Sequence, residues 1–166
     1  LTAFAYGTVF TVIPDFGNWV GIKNKGLLFT YITVSSLFVR LVAGRVSDRV
    51  GRRPVLLVST ILMASALVVV GLAETKSWLI IGVVMYGLAQ GSTSPTLLAW
   101  ATDLSNPLFK GRGVATLYIF MELGIGLGAL GGGWLFANEP DNFLITFAAA
   151  ACLSSVSFVY LLFRKK

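Results

Sequence analysis

Histidine is absent from the 166 residues, and cysteine occurs once, at Cys152. Without imidazole there is no Ser–His or Cys–His pair to activate a nucleophile, and a zinc site loses its usual nitrogen ligand. The serines of the short run GSTS at 91–94 therefore have no base beside them. One thiol excludes an intrachain disulfide. No enzyme is expected, and no metal or other cofactor. Charge is scarce too: 12% of the residues are charged and 56% hydrophobic, about half the charged fraction of a soluble domain. Lipid is the expected solvent.

What charge there is falls in islands between apolar runs. The surplus of +6 is therefore a topology signal rather than a nucleic-acid surface. A hydrocarbon core of about 30 Å takes roughly 20 apolar residues as helix. Residues 27–43, 54–73, 78–101, 113–137 and 143–163 supply five such spans. Residues 1–14 form a sixth, about 21 Å long at 1.5 Å per residue. This opening stretch has no methionine, no basic flank and no cleavage site, so it reads as a membrane helix whose beginning is missing rather than as a signal peptide. Leu1 is not expected to be the native start. The chain is thus expected to be an all-α integral membrane protein, a single bundle of six transmembrane helices.

The connections sort by side. Arg45, Arg49, Arg52, Arg53, Lys110, Arg112, Arg164, Lys165 and Lys166 fall on one side, and only Lys23, Lys25 and Lys76 on the other. The positive-inside rule puts the richer side, with the C-terminus, in the cytoplasm of a cell (inner) membrane. Trp78 and Trp134 then lie at the outer boundary and Trp100 at the inner one.

The densest island is GRVSDRVGRRP at 44–54. Physically it suits a tight cytoplasmic reversal. Gly44 and Gly51 permit close approach and positive φ, Pro54 can open the next helix, and Asp48 can pair with Arg45, Arg49 or Arg52. Anchoring to anionic lipid explains the arginines equally well from charge alone. The stretch closely resembles the loop signature of the major facilitator superfamily, G-x-L-A-D-R-x-G-R-R. Gly44, Asp48, Arg49, Gly51, Arg52 and Arg53 match it, and Arg40 fits the basic residue that precedes it.

That resemblance implies one half of a twelve-helix transporter working by alternating access on a small-molecule substrate. The loop would then be a latch that holds the halves together in one state. FAYGTVFTVIPDF at 4–16 resembles the seventh helix of such proteins. PTLLAWATDLSNPLFKGRGVATLY at 95–118, with Asp103 and Arg112, resembles the passage from the tenth to the eleventh. The C-terminal half is therefore implied, with the N-terminal half of the same chain, or a homodimer partner, completing it. The alternative is a half-length membrane protein or scaffold subunit without transport activity.

Glu122 lies about nine residues into the fifth span, roughly 14 Å along the axis. A carboxylate there is costly unless it is paired, protonated or facing water. It is a candidate for proton coupling or for recognition of a cationic substrate, with a structural ion pair as the other reading. Gly124, Gly128 and Gly132, and likewise Gly87 and Gly91, recur every four residues as packing ridges. The first run also resembles the glycine motif of drug–proton antiporters, GxxxGPxxGG, with Ala129 in the proline's place, which implies efflux. Pro95 should bend its span. Tyr6, Thr11, Tyr86, Gln90, Ser94 and Tyr118 are candidates to line a cavity. Arg40, a turn from the expected end of its span, should snorkel to the inner interface. Arg112 is expected at the gate or on lipid, and Asp15 in the outer loop, solvated.

Overall fold

The computed structural model describes residues 1–163. Arg164, Lys165 and Lys166, counted above among the cytoplasmic cations, lie outside the described residues. Six helices run through it: α1 (Thr2–Trp19), α2 (Lys25–Val50), α3 (Arg52–Gly71), α4 (Lys76–Leu104), α5 (Lys110–Phe136) and α6 (Phe143–Phe163). Short 3-10 turns at Pro107–Phe109 and Pro140–Asn142 lead into α5 and α6. Among the described residues there is no strand. Four segments, Lys25–Val50, Arg52–Gly71, Pro107–Phe136 and Pro140–Phe163, are long and apolar enough to cross a membrane. α1 and α4 are not in that set. α4 carries Gln90, Ser92, Thr93 and Ser94 in its middle, and polar groups at that depth need neighbouring helices rather than lipid.

Two of the helices, α2 and α4, start where a side chain takes an orphan amide proton. Asn24 Oδ1 accepts the N–H of Gly26 at 3.0 Å, and Thr75 Oγ1 accepts that of Trp78 at 3.4 Å. The helices then outrun the apolar spans. α2 does not stop near residue 43 but continues through the arginine-rich stretch to Val50. Gly51 alone turns the corner, at φ +101°, a value that strains any residue with a Cβ. Gly44, expected to serve the reversal, is inside the helix with open space beside it. At the other end α1 runs on through Pro14 to Trp19. Asp15 is therefore a helix residue and not a loop residue, while its side chain stays solvated at 45% exposure; Lys25 Nζ meets its Oδ1 at 3.2 Å. Hydropathy marks where lipid ends, whereas a helix continues wherever its side chains can be solvated.

α4 packs on α2 and on α3, α1 packs on α5, and α3 packs on α6. Small residues make two of these seams. A Cβ on Gly128 would stand 2.0 Å from the carbonyl oxygen of Phe4, and one on Gly7 would stand 2.0 Å from that of Ile125. Gly87 and Gly91 lie in the same way against Ile32, Ser35 and Ser36 of α2. Thr8 Oγ1, fully buried, donates to the carbonyl of Gly128 at 3.1 Å and ties α1 to α5.

Stacked rings gather at the end of the bundle away from the arginines. There Phe16 stacks on Phe143 at 4.1 Å, Phe143 on Phe136 at 4.7 Å, and Phe147 joins them. Leu28, Leu67, Val70, Leu79 and Val83 complete the cluster.

The seams lead to a paired prediction. Gly128→Ala should cost about 1–3 kcal/mol through overpacking against backbone and lower the melting temperature in detergent. Gly126→Ala, with nothing within 4 Å, should leave the melt unchanged or raise it slightly. Equal melting of the two variants would contradict the close approach of α1 and α5.

Candidate functional site

Two places in the bundle gather polar chemistry. The first is the end where α2, α3 and α4 meet. Arg52, the first residue of α3, donates from Nε to Asp103 Oδ2 at 2.9 Å, and from its terminal nitrogen to Ser47 Oγ at 2.9 Å and to Asp48 Oδ1. One guanidinium so joins the ends of three helices, as its fixed planar fork of donors allows. Its side chain is 22% exposed, while those of Asp48 and Asp103 are 65% and 52% exposed. Water therefore screens the carboxylates and keeps each pair near the worth of a surface bridge, about 1 kcal/mol or less.

Beside it Arg53 donates to the carbonyls of Leu161 and Leu162 at 2.8 and 2.7 Å. It closes the last turn of α6, where unpaired carbonyls carry the negative end of the helix dipole. Arg45 and Arg49 make no ion pair among the described residues and stay exposed. Arg112 stacks over the ring of Phe109, 4.7 Å from its centre; no bond joins it to the Arg52 cluster among the described residues.

The second place is a cavity of about 410 Å³ between the α1–α5 pair and the α2–α4 pair. Glu122 and Met121 of α5, Tyr6 of α1, Arg40 of α2, Met63 of α3, and Gln90, Thr93, Ser94 and Leu97 of α4 line it. Gln90 is held by α2, its Oε1 accepting from Ser36 Oγ at 3.3 Å. Tyr118 lines a smaller recess of about 200 Å³ that shares Arg40, Ser94 and Met121 with the cavity.

Arg40, three residues before the end of the apolar run at 43 and ten before the end of α2, is exposed on the cavity wall. Two expectations require correction. Tyr86 is fully buried in the core, with its hydroxyl lacking a hydrogen-bond partner among the described residues. Thr11 is exposed and lies beside Gly133 of α5, away from the cavity. Sequence reasoning also missed Ser47 and the Asp103 end of the Arg52 bridge. A lone acid closing a span next to an arginine-rich helix end was the available signal for Asp103. Ser47 and the α6 carbonyls gave none.

Comparison with known proteins fits this architecture. The chain matches the family description Major Facilitator Superfamily over residues 1–166. It is 28% identical over 82% of its length to a D-xylose-proton symporter-like protein of Arabidopsis thaliana, matching 26% of that protein. It is 30% identical over 61% of its length to the arabinose-proton symporter of Bacillus subtilis, matching 22% of it. It is 33% identical over 82% of its length to a triacylglyceride transporter of Mycolicibacterium smegmatis, matching 26% of it. The chain therefore spans about a quarter of the length of these relatives. With an all-α six-helix bundle, a glycine-cornered arginine cluster and a match along its whole length, the chain belongs to the major facilitator superfamily.

Proposed function

We propose that the chain is the C-terminal six-helix half of a secondary active transporter that carries a small solute by alternating access and couples it to protons. The observation that carries the reading is the bridge from Arg52 to Asp48, Ser47 and Asp103, standing at one end of a bundle that holds a polar cavity. A cluster of partly exposed charged bonds, each of modest worth, is suited to forming in one state and breaking in another. The other half of the same chain, or a second copy, completes the pathway. The motif end faces the cytoplasm of the cell membrane, with the C-terminus on the same side. Two relatives named as sugar–proton symporters support proton coupling, and Glu122 on the cavity wall is the group that takes up the proton. The efflux reading rests on the glycine run of α5, whose glycines lie against α1 and so serve packing.

The test uses the full-length protein in proteoliposomes. Loss of an exposed charged pair removes about 1 kcal/mol, roughly a fivefold bias between two states. Asp48→Asn is therefore expected to slow transport by about that factor or more, with membrane insertion unchanged. A wild-type rate would refute the gating role. Glu122→Gln is expected to leave transport insensitive to pH across the acid range. An unaltered pH profile would return Glu122 to a packing role.

A further inference from the structure

On the flank of the bundle turned away from the cavity, α2 and α3 pack on α4 far more than on each other. Between them lies a groove of about 410 Å³. Val42, Val46 and Val50 of α2 form one wall, Val55 and Val58 of α3 the other, and Leu88 of α4 the floor. At about 100° of turn per residue, Val42 and Val46 lie about 160° and 120° around α2 from Arg40, which lines the cavity. Both walls belong to helices long and apolar enough to cross a membrane, so the groove opens to lipid.

Two features say what kind of molecule fits. The hydroxyls that line the groove are already spent. Ser59 Oγ donates to the carbonyl of Leu56 at 3.2 Å, and Ser92 Oγ to those of Leu88 and Ala89 at 3.1 and 3.0 Å. Neither is left for a polar solute, and the slot suits a hydrocarbon chain. Its end, by contrast, is charged. Arg49 is exposed and makes no ion pair among the described residues, and the neighbouring acid, Asp48, is taken by Arg52. Seven residues beyond Val42, Arg49 lies within about 20° of it around the helix and about 10 Å further along. One stripe of α2 thus carries apolar side chains and then a cation, the order in which a phospholipid carries its chain and its phosphate.

We propose that the groove between α2 and α3 is a binding site for an anionic phospholipid, one acyl chain lying in the groove and the phosphate on Arg49. A guanidinium meets a phosphate through two parallel hydrogen bonds. Arg52 and Arg53 are engaged by carboxylates and by the carbonyls of α6, so the free positive charge of this corner belongs to Arg49 and Arg45. Bulk lipid touches a flat helix face on one side only. A chain in this groove touches α2, α3 and α4 at once, and its dispersion contacts add up. The site makes no use of the cavity and does not depend on the transporter reading.

The test titrates the full-length protein in neutral detergent with dioleoyl phosphatidylglycerol and, separately, with dioleoyl phosphatidylcholine, bound lipid being counted by native mass spectrometry. Phosphatidylglycerol is expected to bind about fivefold more tightly at low salt, the worth of one arginine beside an anionic headgroup. That margin should shrink as salt rises. Arg49→Gln should lose most of the margin and keep the affinity for phosphatidylcholine. Val58→Phe fills the groove from a position that is 67% exposed. It should weaken both lipids alike, about fourfold for each methylene displaced, with the margin kept. Val42→Phe, on the opposite wall, should do the same, and a wild-type melt shows that each filled variant is folded. Equal affinity for the two lipids, a wild-type margin in Arg49→Gln, or wild-type lipid binding in both folded phenylalanine variants would overturn the proposal. The last result is also what a groove covered by the rest of the full-length protein, or by a second copy, would give. Should the filled variants not fold, the margin in Arg49→Gln decides alone.

Discussion

Backbone-to-backbone approach at small residues is the contact from which the rest of the bundle follows. Lipid tails offer no hydrophobic penalty to exposed leucine, so helices in a membrane associate by close packing and hydrogen bonds. Gly7 and Gly128 bring α1 and α5 together, and Gly87 and Gly91 do the same for α4 and α2. These two tight pairs meet each other far less closely. The cavity is the space left where they diverge, which explains why its wall draws on five helices and why its polar groups come from residues facing between the pairs.

The two ends of the bundle are built from different chemistry. Stacked phenylalanines and aliphatic side chains fill one end, and such packing is not easily opened without loss of dispersion contacts. The other end is held by Arg52 and Arg53, through charged groups that water can reach. Bonds of that kind are specific in direction yet weak in net worth. A bundle packed by rings at one end and tied by exchangeable bonds at the other suits the proposed alternating access, in which bonds on one side must break and re-form.

Much of this was legible in the residues, for identifiable reasons. Scarce charge and long apolar runs indicate an all-α membrane bundle, because lipid leaves the backbone few other ways to satisfy its amides, and four of the described helical segments are long and apolar enough to cross. The four-residue glycine spacing marked surfaces that lie in close seams. The places where reasoning from residues failed have two causes. Hydropathy locates the edge of the apolar run, and α2 continues seven residues beyond it, from 44 to 50. That extension made the arginine stretch helical rather than a loop. Which partner Asp48 and Asp103 share, and that Arg53 would find backbone carbonyls of α6, depends on tertiary placement that no local pattern carries.

The central claim is that the cavity between the two helix pairs is reached from each side of the membrane in turn. Its most direct test is the labelling of a cysteine at Ser94, on the cavity wall, in the full-length protein cleared of its own cysteines, Cys152 included. A membrane-impermeant maleimide is applied from one side and then from the other. Alternating access predicts reaction from both sides, with the ratio shifting when a proton gradient is imposed. Reaction from one side only, in the same proportion with and without the gradient, would contradict the account.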